Sequence, residues 1–147
     1  LMANETELKR QTQATAAMTS MIRGLIDEET AEDSEVNVKN KALLVPYADT
    51  VVQRLQALFN TALSSKYQPL QEEVLSTLSC FASVLDSAFA PHYGAFMPGL
   101  VSILETTKYE TQQDQELRAS CIEVIGFILT SVKDQPEVCH DDAIVIA

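Results

Sequence analysis

The residues of this chain that are best suited to chemistry lie close together near its C-terminal end. Cys139, His140, Asp141 and Asp142 place four potential metal ligands side by side. Adjacent residues of a helix point to different faces, so these four side chains would not converge on one ion. A zinc site needs ligands at compatible spacing, usually four of them. We therefore predict no metal site.

Paired carboxylates and histidines are the remaining candidates for catalysis. Glu72, Glu73 and Glu116 stand near predicted helix starts, where the helix dipole alone favours acidic residues. His92 follows a proline and is interpreted as a turn residue. No phosphate-binding, dinucleotide-binding, metalloprotease or C-x-x-C motif occurs in the sequence. We therefore predict that the chain is not an enzyme and needs no cofactor.

The elements that carry these residues are predicted to be helices. Apolar residues recur at steps of three and four from Leu70 to Leu85 and again from Tyr93 to Leu104, which is the period of one buried helix face. A short break at Asp86–Pro91 separates the two helices. No stretch alternates apolar and polar residues as a half-buried strand would. The predicted fold class is all-α.

This helical hairpin has related copies on both sides. Moving its first helix forward by 47 residues superposes apolar positions on apolar positions within 117–132. Moving it back by 57 residues pairs Val74, Leu75 and Leu78 with Ala17, Met18 and Met21. The second helix, moved back by 46 residues, matches 47–58. A period in the forties with two helices per unit is typical of HEAT and armadillo arrays.

The sequence therefore predicts a HEAT-repeat α-solenoid fragment of about two and a half helical hairpins. The repeats fall at about 5–63, 67–107 and 114–147 and form a single array over 1–147. Neither end carries the polar capping repeat that a complete solenoid needs. We accordingly expect the chain to be part of a much longer solenoid.

Three further helices have individual signals. The first is predicted from about Glu5 to Leu25 with Asn4 as its N-cap, and the fifth from about Asp114 to Val132. The second is predicted to begin near Pro46, and its expected core side includes Tyr47. A polar stripe on this helix is predicted to lie away from the core side. Its residues follow one another at steps of four, three and four: Asp49, Gln53, Gln56 and Asn60.

An acidic segment separates the first two of these helices. It carries six carboxylates in nine residues: Asp27, Glu28, Glu29, Glu32, Asp33 and Glu35. With no apolar face to bury, the segment is predicted to be a mobile, solvated insertion. The alternative is an electrostatic contact for a partner rich in lysine and arginine.

Overall charge and cysteine content limit the partners. The net charge of −11 argues against direct binding of nucleic acid or an anionic membrane, both of which need a cationic surface. It is compatible with a basic protein partner, and equally with a role in solubility alone. Three cysteines are an odd number, which favours a reduced cytosolic or nuclear setting. No apolar run approaches the 18 residues of a membrane span, and we predict a soluble chain.

The central hairpin also resembles a known family. Residues 71–104, QEEVLSTLSCFASVLDSAFAPHYGAFMPGLVSIL, are similar to a HEAT repeat of the importin-beta (karyopherin-beta) family, whose second helix has the pattern Tyr-Tyr-x-x-Phe-Met-Pro-x-Leu. His92 replaces the first tyrosine of that pattern. QTQATAAMTSMI (11–22), VPYADTVVQRLQALF (45–59) and QELRASCIEVIGFI (115–128) resemble the flanking repeats. The order is similar to the importin-5 type of carrier, and the acidic segment departs from it.

The resemblance implies a nuclear transport receptor without catalytic activity. Such a receptor binds a basic cargo protein or its nuclear localisation signal, for example on ribosomal proteins or histones, and is regulated by the GTPase Ran. It also contacts nucleoporins and shuttles between cytoplasm and nucleus through the pores of the nuclear envelope. In this family the second helices of the repeats line a concave binding face. Carried onto this chain, that face comprises the polar stripe and, by the repeat offsets, three further residues: Asp49, Gln53, Gln56, Asn60, Ser102, Thr106 and Asp142.

Two other readings of the sequence remain open. One is a HEAT-repeat scaffold subunit of a phosphatase or chromatin complex, which would hold enzymes instead of releasing cargo. The other is a helical enzyme, against which the absence of a polar cluster within the apolar faces argues. The Tyr-x-x-Phe-Met-Pro stretch favours the transport receptor over both.

Overall fold

The computed structural model describes residues 4–25 and 35–138, and the chain is helical in both ranges. The α-helices are α1 (Glu5–Arg23), α2 (Glu35–Leu44), α3 (Ala48–Ser65), α4 (Gln68–Leu85), α5 (Tyr93–Thr106) and α6 (Gln112–Ser131). Two 3-10 segments, Val45–Tyr47 and Asp86–His92, precede α3 and α5. The described ranges contain no strand. The all-α prediction is therefore confirmed.

Local sequence signals explain where the helices begin. The Asn4 side chain accepts a hydrogen bond of 2.9 Å from the backbone N–H of Glu7, which confirms the predicted cap of α1. Thr111 and Asp114 form a reciprocal capping box at the start of α6, one oxygen accepting from the backbone N–H of the other residue in each direction. Pro69 occupies the first turn of α4, where its missing N–H has no intrahelical acceptor.

The helices are arranged around α4, which contacts α1 on one side and α6 on the other. α3 packs against α4 and α5, and α5 packs against α6. The result is one layer of α1, α4 and α6 and a second layer of α3 and α5. Three phenylalanines, Phe81, Phe89 and Phe96, are fully buried at the centre, with ring centroids 6.1 to 6.4 Å apart along the series.

The contact between α1 and α4 differs from the predicted one. The repeat offset assigned Ala17, Met18 and Met21 to the core, yet Met21 is 75% exposed. Threonines occupy this contact instead, and Thr15 and Thr19 are almost fully buried. The Thr15 hydroxyl donates a hydrogen bond to the carbonyl oxygen of Gln11, and the Thr19 hydroxyl donates one to a carboxylate oxygen of Glu73 on α4. These bonds offset the cost of burying both hydroxyls. The predicted register of α1 was therefore wrong, because apolar type alone does not identify this buried face.

Two other apolar positions were also assigned to the core incorrectly. Tyr47 lies in the 3-10 segment before α3 and is 66% exposed. Because that segment precedes the α-helix, helical spacing does not carry the core face of α3 back to residue 47. Ile122 of α6 is exposed as well, whereas its neighbours Cys121 and Val124 are buried.

Helix α4 ends at a strained residue. Asp86 has φ 49° and ψ −127°, a backbone conformation that residues with a Cβ atom rarely adopt. Its backbone N–H still bonds to the carbonyl of Ala82. The predicted end of this helix at Asp86 is confirmed. The unusual backbone conformation of Asp86 changes the chain direction between α4 and the 3-10 segment that leads to α5.

Helix α5 approaches α3 closely at Gly99. A Cβ atom at this position would lie 2.6 Å from Cε1 of Phe59, whose ring is buried and packs edge-to-face against Phe96 at a centroid distance of 6.3 Å. Gly99 therefore fits because it has no side chain. Pro98 lies inside this helix, which nevertheless continues to Thr106.

Replacing Gly99 with alanine should lower the free energy of unfolding by about 1–3 kcal/mol, because the methyl group overpacks a core in which Phe59 cannot move freely. Gly126, in the middle of α6, is the matched control, since a Cβ there meets nothing within 4 Å. Gly126→Ala should raise the free energy of unfolding by about 0.5–1 kcal/mol through helix propensity. Urea denaturation followed by circular dichroism measures both. Changes of the same sign in the two variants would contradict the close approach.

The stretch from Gln68 to Thr106 is long and apolar enough to meet a composition criterion for a membrane span, contrary to our reading of the sequence. In the fold it forms two separate helices, α4 and α5, joined by a 3-10 segment. Half of its most apolar window is buried against other parts of the chain. Packing within the protein thus accounts for part of the apolar character of this stretch.

Candidate functional site

The polar stripe runs along α3 next to its buried face, and not away from it as predicted, because the buried face is rotated relative to the expected core side. The buried residues of this helix recur at steps of four and three: Ala48, Val52, Leu55, Phe59 and Ala62. Each stripe residue follows one of the first four by a single position, which is a rotation of about 100° around the helix. Asp49, Gln53 and Asn60 are consequently exposed, whereas Gln56 is half-buried.

Residues of α5 extend this surface, because α5 is the neighbour of α3 in the same layer. Ser102 and Thr106 are both exposed on α5. The Thr106 hydroxyl donates a hydrogen bond of 2.7 Å to the carbonyl oxygen of Ser102, so one of its two polar functions is already engaged. Asp142, the remaining residue predicted for this face, lies outside the described residues. The fold thus places five exposed polar residues on the adjacent helices α3 and α5.

Two side chains of the stripe connect α3 to the start of α5. Oδ1 of Asp49 lies 3.9 Å from Nδ1 of His92, and the carboxylate is 90% exposed whereas the imidazole is largely buried. The His92 ring lies beside Phe81 and Phe89, at centroid distances of 6.4 and 6.2 Å. Gln56 donates from Nε2 to the carbonyl oxygen of Ala95 at 3.3 Å. Gln56 therefore holds the two helices together, a role that its position in the stripe did not reveal.

A groove of about 800 Å³ opens at the other end of this surface. Ser102 and Thr106 line it together with Gly99, the linker 107–111 and the first turns of α6. The predicted residues of α5 thus border a concave space as well as the exposed face.

The groove is lined by positive and negative side chains in equal number. Nζ of Lys108 lies 3.4 Å from a carboxylate oxygen of Glu110, and Asp114 is occupied in the capping box of α6. Lys66 also lines the groove, and among the described residues no carboxylate lies within ion-pair distance of its ammonium group. The groove is therefore mixed in polarity and is not an acidic pocket.

The linker that walls the groove is held by Arg118 of α6. Its guanidinium donates to the carbonyl oxygens of Leu104 and Thr107, the latter at 2.9 Å, and to the hydroxyl of Tyr109 at 2.7 Å. The same group lies 4.2 Å from the centroid of the Tyr109 ring, a cation–π distance. Arg118 thus satisfies carbonyls at the C-terminal end of α5 and fixes the linker over α6.

Only one of the six carboxylates of the acidic segment belongs to a described residue. Asp27, Glu28, Glu29, Glu32 and Asp33 lie outside the described residues. Glu35 is exposed and forms the first residue of α2, so it belongs to a helix and not to a loop. Helix α2 was not predicted from the sequence, although an acidic residue at its start and Pro46 after its end were usable signals.

The carboxylates considered for catalysis are only partly brought together. Nε2 of Gln68 lies 2.7 Å from an oxygen of Glu72 and 3.3 Å from an oxygen of Glu116, so these two acids share an amide donor. Glu73 lies instead at the contact of α1 and α4, where Oε1 accepts from the Thr19 hydroxyl at 2.9 Å. Within 4–25 and 35–138, no three His, Cys, Asp or Glu residues are grouped as metal ligands. Cys139, His140, Asp141 and Asp142 fall outside these ranges.

No family model matches this chain, and no solved structure does. The likeness to the importin-beta family therefore rests on the quoted sequence motifs alone.

The two described cysteines have different surroundings. Cys80 is half-buried on α4, and its Sγ accepts a hydrogen bond of 3.1 Å from Nε of Arg23. Cys121 is fully buried on α6. Burial raises the pKa of the Cys121 thiol to about 12, although the charge of Arg118 acts in the opposite direction.

Stability should therefore fall with increasing pH in the alkaline range because of Cys121. The pKa of the thiol is close to its ordinary value of 9.0 in the unfolded chain and about 12 in the folded chain. Between these values the unfolded state releases a proton that the folded state retains, which lowers the free energy of unfolding by up to about 1.4 kcal/mol per pH unit. Urea denaturation at a series of pH values, with Cys121→Ala for comparison, isolates this dependence. Equal alkaline slopes in both proteins would contradict it.

Proposed function

We propose that this chain is a HEAT-repeat segment of an importin-beta-type nuclear transport receptor. In this proposal the exposed polar surface of α3 and α5 is the concave face that binds basic cargo, such as a ribosomal protein or histone. The acidic composition supports a basic partner, with a net charge of −11. The binding is non-catalytic, and binding of Ran in its GTP form releases the cargo.

One observation carries the proposal. Asp49, Gln53 and Asn60 are exposed on α3, and Ser102 and Thr106 are exposed on the neighbouring helix α5. Carboxylate, amide and hydroxyl groups in such a row suit an extended peptide backbone and the side chains of lysine and arginine. The two-layer packing supports it as well, because α3 and α5 correspond to the second helices of successive repeats in the predicted array.

Asp49→Lys should weaken binding of a basic peptide about three- to tenfold, because it replaces an attractive charge on the proposed face with a repulsive one. Fluorescence anisotropy with a labelled peptide rich in lysine and arginine measures the affinity. Glu123→Lys is the matched control, since it makes the same charge change on an exposed position of α6. Circular dichroism confirms that both variants keep their helicity. An equal loss of affinity in both would show that overall charge, and not this face, attracts the peptide.

Regulation by Ran needs a separate test. The immobilised chain is incubated with nuclear extract, and bound proteins are compared before and after addition of Ran locked in its GTP form. Release of basic proteins is the expected result. Retention of a phosphatase or chromatin-complex subunit regardless of Ran would indicate the scaffold function instead.

A further inference from the structure

The short helix α2 and the 3-10 segment after it carry an unusual share of the exposed apolar surface. Nine large apolar residues are exposed in the described ranges, and five of them lie within 36–47. We call these five the α2 patch: Val36, Val38, Leu43, Val45 and Tyr47. Each is roughly half exposed or more. Exposed apolar residues that are scattered singly need no explanation, whereas such a concentration marks a contact surface.

The buried residues of α2 show which side of this helix faces the rest of the chain. Asn37 is fully buried, whereas Val36 and Val38 on either side of it are exposed. Leu44 is buried seven residues after Asn37, on the same face of the helix. The helix therefore turns an amide toward the rest of the chain and leaves valines outside. Apart from Leu44, its large apolar side chains are not part of the core of this protein.

The exposed residues form two ridges. Val36 and Leu43 lie seven residues apart along one flank of α2. The second ridge starts at Val38 on the other flank and includes Val45, the first residue of the 3-10 segment that follows α2. Lys39 lies on the outer side between the ridges and is exposed. Lys41 is partly exposed near the second ridge. An occupant of this surface would thus meet apolar ridges and ammonium groups together.

The lysines give the patch a charge opposite to that of the chain. The whole sequence contains ten lysines and arginines against twenty-one acidic residues, and two of the ten lie within three positions here. Among the described residues, neither ammonium group lies within ion-pair distance of a carboxylate. Charge complementarity therefore calls for an acidic occupant.

We propose that the α2 patch is a docking site for an acidic amphipathic segment of a partner protein. Apolar side chains of that segment pack on the two ridges, and its carboxylates pair with Lys39 and Lys41. An anionic membrane would offer similar chemistry, but a chain with a net charge of −11 is repelled by such a surface. The site is independent of the proposed cargo face, which lies on α3 and α5 and attracts the opposite charge.

A synthetic peptide with leucine on one helical face and glutamate on the other is the probe. Binding of the labelled peptide to the chain is measured by fluorescence anisotropy. Leu43→Ser combined with Val36→Ser should weaken binding at least about tenfold, since apolar anchors dominate such contacts. Lys39→Glu combined with Lys41→Glu should weaken it about tenfold by charge repulsion. Because all four residues lie outside the buried core, neither pair of changes should unfold the chain.

The controls separate this site from general electrostatics. Lys66→Glu combined with Lys133→Glu makes the same change in net charge at exposed positions elsewhere and should leave the affinity unaltered within about twofold. A peptide with lysine in place of glutamate should bind the Lys39→Glu, Lys41→Glu variant more tightly than the unmodified chain.

Three results would overturn the proposal. The first is no binding of the leucine–glutamate peptide by the unmodified chain at millimolar concentration, or equal affinity in all variants. The second is retention of the chain on vesicles of phosphatidylcholine and phosphatidylserine, lost in the serine variant, which would assign the patch to a membrane. The third is a dimer in analytical ultracentrifugation that the serine variant abolishes, which would assign it to a second copy of this chain.

Discussion

Replacing Phe89 with alanine is expected to lower the free energy of unfolding by about 3–5 kcal/mol. The ring is fully buried although it belongs to the 3-10 connection between α4 and α5. It packs edge-to-face on Phe81 and is stacked on Phe96, with centroids 6.1 and 6.4 Å apart. Its removal leaves a cavity that neither neighbouring helix can fill, because both are fixed by their own contacts. Urea denaturation followed by circular dichroism measures the loss.

Phe127→Ala is the matched control for this experiment. Phe127 lies on α6 and is 41% exposed, so its truncation removes less buried surface and opens no enclosed cavity. Its expected effect is below about 1.5 kcal/mol. If the two variants lost stability to the same extent, the connection between α4 and α5 would not be anchored by Phe89.

Arg118→Ala should lower the free energy of unfolding by about 2–3 kcal/mol. The change removes charge-assisted hydrogen bonds to the carbonyls of Leu104 and Thr107, and each such bond is worth about 1.5–3 kcal/mol before the carbonyls regain water. It also removes the cation–π contact with Tyr109. Because Arg118 fixes the linker 107–111, we expect amide hydrogens of that linker to exchange faster with solvent. Urea denaturation and hydrogen–deuterium exchange measure the two effects.

Two comparisons sharpen the Arg118 experiment. Arg118→Lys keeps the positive charge but loses the planar set of donors, so it should recover less than half of the lost stability. Lys108→Ala removes an exposed ion pair in the same linker and should change stability by less than about 1 kcal/mol. Full recovery by lysine would show that charge alone accounts for the contribution of Arg118.

Helical periodicity identified the elements in which buried residues are apolar. It predicted α4, α5 and α6, whose buried side chains include Leu78, Phe96 and Ile128. It failed at two contacts that use polar side chains. Thr19 is buried in α1, and Asn37 is buried in α2, and neither residue contributes to an apolar pattern. Such residues are buried only because their hydrogen-bonding groups find partners, which depend on distant parts of the chain.

The same reasoning limits what the sequence could say about the candidate site. The positions of Asp49 and Asn60 follow from the period of α3, which fixes the angle between them and the buried face. The half-buried state of Gln56 does not follow from that period, because it depends on the distance between α3 and α5. The groove beside Ser102 is not predictable from α5 alone, since residues of α3, α4, α6 and the linker also line it.

The threonine contact between α1 and α4 has a mechanical consequence. The Thr19 hydroxyl lies 2.6 Å from that of Thr77 and 2.9 Å from a carboxylate oxygen of Glu73, so this contact is held by directional bonds. Dispersion between apolar side chains has no preferred direction and is spread over many weak contacts, so it is lost over a longer displacement than a hydrogen bond. Under tension along the layer of helices, the apolar contact between α4 and α6 should yield gradually. The contact between α1 and α4 should resist separation of the two helices and then rupture abruptly. It is therefore the contact in this layer that deforms least before it breaks.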